Sequence, residues 1–165
     1  MATPDRLAAE VLVAAEVPVE QERAIVLAFG DLGVAARARA VPTRRGAAEL
    51  QWLVLAALPL QAFLSGLGSS LADGASKGLK RLVGRVLGSR PEPAPHVLVL
   101  QDAETRLQVV LEPDLPTEAY RALLRLDLSA FRAGPLHYDR HGGRWRSELD
   151  ESRQRQAPPE DREPA

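Results

Sequence analysis

The residues best suited to chemistry lie near the end of the chain, where His137, Asp139 and His141 form an H-x-D-x-H pattern. Imidazole nitrogens and carboxylate oxygens bind Zn²⁺, and His137 and Asp139 would share one face of an extended strand. His141 falls in the turn beyond that strand, and no further ligand is evident. Short motif matches often arise by accident. We therefore interpret the pattern as a polar hairpin edge and predict neither a metal nor a cofactor.

Two other patterns could indicate phosphate or nucleic-acid binding. The GLGSS run at 66–70 is rich in glycine, but it lacks the lysine of a P-loop and does not follow a strand. Arg144 and Arg146 flank Trp145 and could contact RNA. The surroundings are acidic, however, and the formal net charge is −1. We predict no nucleic-acid partner and no catalytic residues, while an enzyme with an unrecognised site stays an alternative.

Composition limits the kind of protein that this chain can be. At 165 residues it is long enough for one domain with its own core, which we place at 1–147. The absence of cysteine excludes disulfides and thiolate metal sites. The N-terminus lacks the basic start and apolar run of a secretory signal. We expect a cytoplasmic protein, with membrane association as the alternative.

The first 41 residues predict a β-α-β unit. An apolar run at 8–17 ends at Pro18, which suits a strand because proline cannot donate to a ladder. Residues 19–29 read as a short helix that closes in a glycine turn. Alternation of alanine with Arg37 and Arg39 predicts a half-buried strand at 34–41.

The middle of the chain carries no charged residue from 50 to 72. We predict a continuously apolar helix over 47–65, bent by Pro59, and a second helix to residue 87. This second helix has an apolar face and a basic face. Together they form an apolar helical hairpin at 47–87, embedded in the domain. A proline-rich linker follows at 88–95.

The C-terminal third predicts a β-hairpin, a helix and another hairpin. Strands at 97–101 and 107–111 precede a helix at 118–126, and paired glycines mark the turn between strands at 136–139 and 144–147. The polar residues 148–165 predict a disordered tail. The expected fold is therefore α+β: a mostly antiparallel sheet of about five or six strands with helices on one face.

The apolar run at 50–72 also has the length of a membrane span. A single span would leave two small sheet fragments on opposite sides of the bilayer, each burying too little surface to be stable. A helix buried against its own sheet is the more ordinary explanation of such a run. The basic amphipathic stretch at 77–90 is typical of helices that contact an anionic membrane surface, so such a contact stays an alternative.

The order of these elements is similar to that of the small effector-associated constant components of bacterial conflict systems. The similarity covers about residues 8–112 and includes the basic helix end KGLKRLVGRVL and the hairpin HVLVLQDAETRLQVV. It rests on element order and not on a diagnostic motif. The resemblance implies a non-enzymatic adaptor encoded beside its partners.

We accordingly predict a non-catalytic interaction module that binds a protein partner, an accessory component of a multi-gene bacterial conflict or signalling system. The alternative is a membrane-associated or single-span protein that uses the 50–72 helix and the basic 77–90 helix. The expected contact residues are the apolar anchors and cations Trp52, Leu60, Phe63, Leu64, Lys77, Lys80, Arg81 and Arg85.

Overall fold

The computed structural model describes residues 6–15, 17–42, 54–70, 72–87 and 97–157. Within these ranges the chain forms seven strands, five α-helices and a short 3-10 helix. In chain order, the elements are β1 (Leu7–Ala14), α1 (Val19–Asp31), β2 (Val34–Val41), β3 (Val54–Leu58), α2 (Leu60–Ser70), α3 (Ala72–Leu87), β4 (Leu98–Asp102), β5 (Gln108–Leu111), α4 (Thr117–Leu124), the 3-10 helix (Leu128–Ala130), β6 (Leu136–Asp139), β7 (Arg144–Ser147) and α5 (Glu148–Gln156).

The strands form one mixed sheet in the order β2-β1-β3-β4-β5-β6-β7. The pairs β1–β2, β3–β4 and β5–β6 are parallel, and the pairs β1–β3, β4–β5 and β6–β7 are antiparallel. The predicted α+β class is confirmed. The described sheet has seven strands where five or six were expected, because β3 comes from the segment that was predicted to be helical.

Helices α1 to α4 cover one face of this sheet, as predicted. Their apolar side chains form one cluster with alternate strand residues such as Val11, Val109 and Leu136. Phe29 of α1 and Tyr120 of α4 are among the largest fully buried side chains in the cluster. Burying these apolar surfaces is the main favourable contribution to folding.

The opposite face of the sheet carries a smaller apolar cluster. Leu55, Val99 and Val110 are its buried members, and Leu12, Ala57 and Val97 pack around them. None of these residues belongs to a helix, so α1 to α4 all contribute to the larger cluster alone. The central strands therefore have apolar residues on both faces.

The predicted helix over 47–65 is wrong at 54–58 and agrees with the structure at 60–65. Residues 54–58 form β3, Pro59 separates this strand from α2, and 47–53 lie outside the described residues. A strand buried on both faces is continuously apolar, and such a run cannot be told from a buried helix by periodicity. The predicted helical hairpin at 47–87 is reduced to α2 and α3. None of the helices in the described ranges combines the length and apolar character that a bilayer crossing demands.

The prediction of a disordered tail at 148–165 is also wrong for its first half. Residues 148–156 form α5, which begins directly after β7, while 158–165 lie outside the described residues. Ser147 caps this helix by accepting a hydrogen bond from the backbone N–H of Asp150 at 3.2 Å. Acidic residues in its first turn and Arg153 and Arg155 in its last also favour the helix through its dipole.

The flanking predictions agree with the structure. The β-α-β unit corresponds to β1, α1 and β2, and the two hairpins correspond to β4–β5 and β6–β7. Tyr138 and Trp145 face each other across the second hairpin, with ring centroids 5.5 Å apart. The Trp145 ring nitrogen donates to the carbonyl of Ala119 at 2.9 Å, which ties this hairpin to α4.

Candidate binding surface on helix α3

Helix α3 has one apolar side and one cationic side, and the fold uses them differently. Leu79, Leu82, Val83 and Val86 recur at spacings of three and four residues and are buried in the main core. This side packs against α1, α2, α4 and β4. The predicted cations Lys77, Lys80, Arg81 and Arg85 are all exposed on the other side.

Contacts with α1 hold α3 in place. Gln21 donates a side-chain hydrogen bond to the carbonyl of Val86 at 3.3 Å. Gly78 of α3 lies beside Leu32 at the end of α1, where a Cβ would be in van der Waals contact, 3.4 Å from a methyl carbon of that leucine. The cationic side chains therefore project from a helix that is fixed along its length.

Arg85 differs from the other three cations because it has a counter-ion. Its Nη1 lies 2.5 Å from Oδ2 of Asp31 on α1, and both side chains are more than half exposed. Asp31 was missed by the sequence reasoning, since 54 residues separate the partners and no local pattern links them. An exposed pair of this kind contributes roughly 0–1 kcal/mol to stability.

Lys77, Lys80 and Arg81 form the unbalanced part of the stripe, and we call these three residues the α3 cationic stripe. They lie at i, i+3 and i+4, so they share one side of the helix. None of them forms an ion pair with an acidic side chain that the structure describes, which leaves Asp73 aside. Their positive charges face solvent and are available to a negatively charged surface.

The predicted apolar anchors are not part of this surface. Leu60, Phe63 and Leu64 are 0%, 2% and 0% exposed, so their prediction as partner contacts is wrong. They are buried because α2 packs its apolar side into the same core as α3. Trp52 lies outside the described residues.

The depression between α1 and α3 is too small to hold a typical organic ligand. Its volume is about 100 Å³, and its lining includes Ala28, Leu82 and the ion pair of Asp31 with Arg85. Small-molecule sites usually measure about 300–1,000 Å³. The surface around α3 is therefore suited to contact with a larger object and not to enclosing a small one.

Of the H-x-D-x-H residues, Asp139 has a structural role in the second hairpin. Oδ1 of Asp139 accepts a hydrogen bond from the backbone N–H of His141 at 3.0 Å, and its Oδ2 lies 3.5 Å from Nη1 of Arg146. A backbone hydrogen bond from Gly142 lowers the pKa of Asp139 most, and the backbone hydrogen bond from His141 and the charge of Arg146 lower it further. In the part of the chain that is described, no group of three or more His, Asp or Glu could hold a metal ion.

Comparison with protein-family models, with curated proteins and with solved structures finds no match to this chain.

Proposed function

We propose that this protein is a non-catalytic interaction module that binds an acidic surface of a protein partner through the α3 cationic stripe. The observation that carries the proposal is the contrast within α3 between Arg85, which has an acidic partner, and Lys77, Lys80 and Arg81, which have none among the acidic side chains that the structure describes. Unpaired cations on one rigid helix side attract an anionic partner and speed its association. The resemblance in element order adds the setting of a multi-gene bacterial conflict or signalling system.

A protein partner fits α3 better than a membrane does. Helices that bind at a membrane interface insert an apolar side among the lipids. The apolar side of α3, with Leu79 and Val83, is already buried in the core. Only the exposed cations can contact lipid headgroups, and each basic residue contributes about 1 kcal/mol to membrane binding. Membrane adsorption is therefore the second outcome to measure and not the first expectation.

The test uses the proteins encoded beside this gene as candidate partners and reverses the stripe. We expect one of them to bind, and the triple variant Lys77→Glu/Lys80→Glu/Arg81→Glu to bind about 100-fold more weakly at low salt. A matched control reverses exposed cations on α4, after it and on α5: Arg121→Glu/Arg125→Glu/Arg153→Glu. This control changes the net charge equally and should retain most of the affinity.

The measurement is titration calorimetry at several salt concentrations, with circular dichroism to show that each variant is folded. Equal losses of affinity in the two triple variants would mean that binding depends on net charge alone, which would contradict a specific binding surface. Unchanged binding by the stripe variant would contradict the proposal outright. Vesicles of phosphatidylcholine with and without phosphatidylserine test the membrane: stripe-dependent binding to the anionic vesicles alone would replace the protein partner with a lipid surface.

A further inference from the structure

Strand β2 is an edge of the sheet and is eight residues long. Its residues pair in parallel with β1 along the whole length, from Leu7 opposite Val34 to Ala14 opposite Val41. No strand in the described ranges pairs with its other side. Long edges with unpaired backbone groups are templates for a further strand, and the outer side of β2 is such an edge within the described ranges.

The direction of each backbone group in β2 follows from one hydrogen bond. The carbonyl of Val41 accepts from the backbone N–H of Ala15 at 3.0 Å, so it points towards β1. Backbone groups of alternate residues point to opposite sides of a strand. Arg37 and Arg39 therefore also bond towards β1, whereas the N–H and C=O groups of Ala36, Ala38 and Ala40 point to the free edge.

Apolar surface lies above this edge on the helical side of the sheet. Ala36 belongs to the margin of the main core, so Ala38 and Ala40 point to the same face of the sheet. Helix α1 packs over β2, and Val19 is 62% exposed. At 100° per residue, Val19 and the half-buried Val26 lie on the side of α1 opposite to Gln21, which reaches α3. They therefore lie on the side of α1 away from α3.

The other face of β2 is cationic at the same edge. Arg37 and Arg39 follow each other on this face, two residues apart. Arg39 pairs with Glu10 of β1 at 3.1 Å, and both side chains are more than half exposed. Arg37 lies opposite Glu10 in the register but forms no ion pair with an acidic side chain that the structure describes. One positive charge at this edge is therefore unbalanced, and the other is shared with a solvent-exposed carboxylate.

We propose that the free edge of β2 binds an extended segment of a partner protein as an additional antiparallel strand, with acidic residues at every second position and apolar residues between them. Ala36, Ala38 and Ala40 supply the backbone hydrogen bonds. In antiparallel pairing, Arg37 and Arg39 then occupy the non-hydrogen-bonded positions, where opposite Cα atoms are only about 4.5 Å apart. Acidic side chains opposite them form cross-strand ion pairs. The apolar residues pack beside Ala38, Ala40 and Val26.

A second copy of this chain is a poor occupant of the same edge. A symmetric antiparallel pair of β2 strands centred on Ala38 would place Arg37 opposite Arg39 of the other copy. Moving the centre by one residue places Arg37 opposite Arg37, or Arg39 opposite Arg39. Like charges directly opposite each other are destabilising. Centred on Ala36 or Ala40, two copies avoid this repulsion but pair over a shorter stretch of β2. In the longer registers the charges thus favour an acidic segment over self-association, and this inference does not depend on the α3 cationic stripe.

The probe is the capped peptide acetyl-Thr-Val-Glu-Val-Glu-Val-Thr-amide, and the control peptide carries Lys at both Glu positions. Short β-strand peptides bind weakly, so we use concentrations up to the order of 1 mM. In hydrogen exchange followed by NMR, the amides of Ala36, Ala38 and Ala40 should become protected. Those of Arg37 and Arg39, already bonded to β1, should change little. Protection of neither set at the highest concentration, or of both sets equally, would overturn the proposal.

Two substitutions separate the backbone contribution from the charge contribution. Ala38→Pro removes an outward N–H and should abolish protection by the peptide, while Ala38→Thr keeps the N–H as its control. If Ala38→Pro fails to fold, the double variant Arg37→Glu/Arg39→Glu still decides: it should weaken the acidic peptide about tenfold and favour the Lys peptide, because both cross-strand pairs are reversed. Equal affinity of both peptides for this double variant contradicts the proposed register. Dimerisation through β2, detected by ultracentrifugation, would replace the acidic segment with a second copy.

Discussion

Helices α2 and α5 have similar lengths, 11 and 9 residues, but are held in the fold by opposite means. Helix α2 buries Leu60, Phe63 and Leu64 in the main core, whereas α5 has no buried residue at all. Apolar burial alone would explain the first helix and would leave the second unexplained. The difference shows that this small domain uses two independent ways to order its chain.

Helix α5 is held by side chains that satisfy backbone groups and charges. The Asp150 carboxylate accepts hydrogen bonds from the backbone N–H groups of Arg132 at 2.9 Å and Ala133 at 3.1 Å. Glu151 pairs with Arg146 of β7, and this pairing, first through the hydrogen bond and then through charge, lowers the pKa of Glu151. Hydrogen bonds to a charged group are stronger than those between neutral groups. These polar contacts hold α5 in place, although the helix buries no residue in the core.

Helix α2 also has one polar attachment, at its first residue. Oδ1 of Asp102, at the end of β4, accepts a hydrogen bond from the backbone N–H of Leu60 at 3.0 Å. Its Oδ2 accepts from the backbone N–H and the hydroxyl of Thr105, both at 2.9 Å. Burial alone would raise the pKa of Asp102, but these hydrogen bonds outweigh burial and lower it. The carboxylate thus caps α2 and fixes the β4–β5 turn together.

The largest effect should come from removing core volume under α2. Phe63→Ala should lower the free energy of unfolding by about 3–5 kcal/mol, because a buried aromatic ring leaves a cavity. Urea denaturation measures it. The control, Leu27→Ala on α1, removes a side chain that is 70% exposed and should change stability by less than about 0.5 kcal/mol. Similar effects of the two substitutions would mean that α2 does not depend on burial.

Loss of the Asp102 cap should have the next largest effect. Asp102→Ala should cost about 1–2 kcal/mol, since it leaves the Leu60 N–H without its acceptor. Because the folded pKa lies below the unfolded value, this stability is present above the unfolded pKa and is lost as pH falls through the folded one. The urea midpoints of the wild type and the variant should therefore differ at pH 7 and converge as the pH is lowered. A constant difference across that range would contradict a charged cap.

For α5 we expect a local effect. Asp150→Ala should release α5 while the sheet and α1 to α4 stay folded, because the helix contributes no buried residue to the core. Hydrogen exchange should quicken at the amides of α5 and at Arg132 and Ala133, whose N–H groups lose their acceptor. Asp150→Asn keeps one acceptor oxygen and should show a weaker effect. Cooperative loss of the whole fold would show that α5 is part of the core after all.

The smallest effects should come from the surface of α3. Arg85→Ala breaks an exposed ion pair and should cost about 0.2–1 kcal/mol, less as salt is added. Lys80→Ala removes an unpaired cation and should change the free energy of unfolding by less than about 0.5 kcal/mol. Thermal unfolding at low and high salt compares the two. A large loss from Lys80→Ala would indicate a folding role for the α3 cationic stripe.

Much of the fold was predictable because a strand or helix with one buried face repeats its apolar residues at a regular spacing. Alternation predicted β2, helical spacing predicted α3, and paired glycines predicted the hairpin of β6 and β7. The cations of the candidate site were likewise predictable, since the side of α3 that carries Lys77, Lys80 and Arg81 cannot be buried without cost. Their apolar companions Leu60, Phe63 and Leu64 were misassigned, because their exposure depends on what α2 packs against.

The sequence by itself determined the α+β class, the order of most elements and the cationic side of α3, because amphipathic periodicity is a local property of the chain. Only the tertiary structure decided that 54–58 is a strand, that 148–156 is a helix and that β2 is a sheet edge. The first was hidden because a strand buried on both faces has no periodicity. The other two depend on neighbours distant in sequence: the Asp150 carboxylate meets backbone groups near residue 132, and β2 becomes an edge through the pairing of β1 with β3.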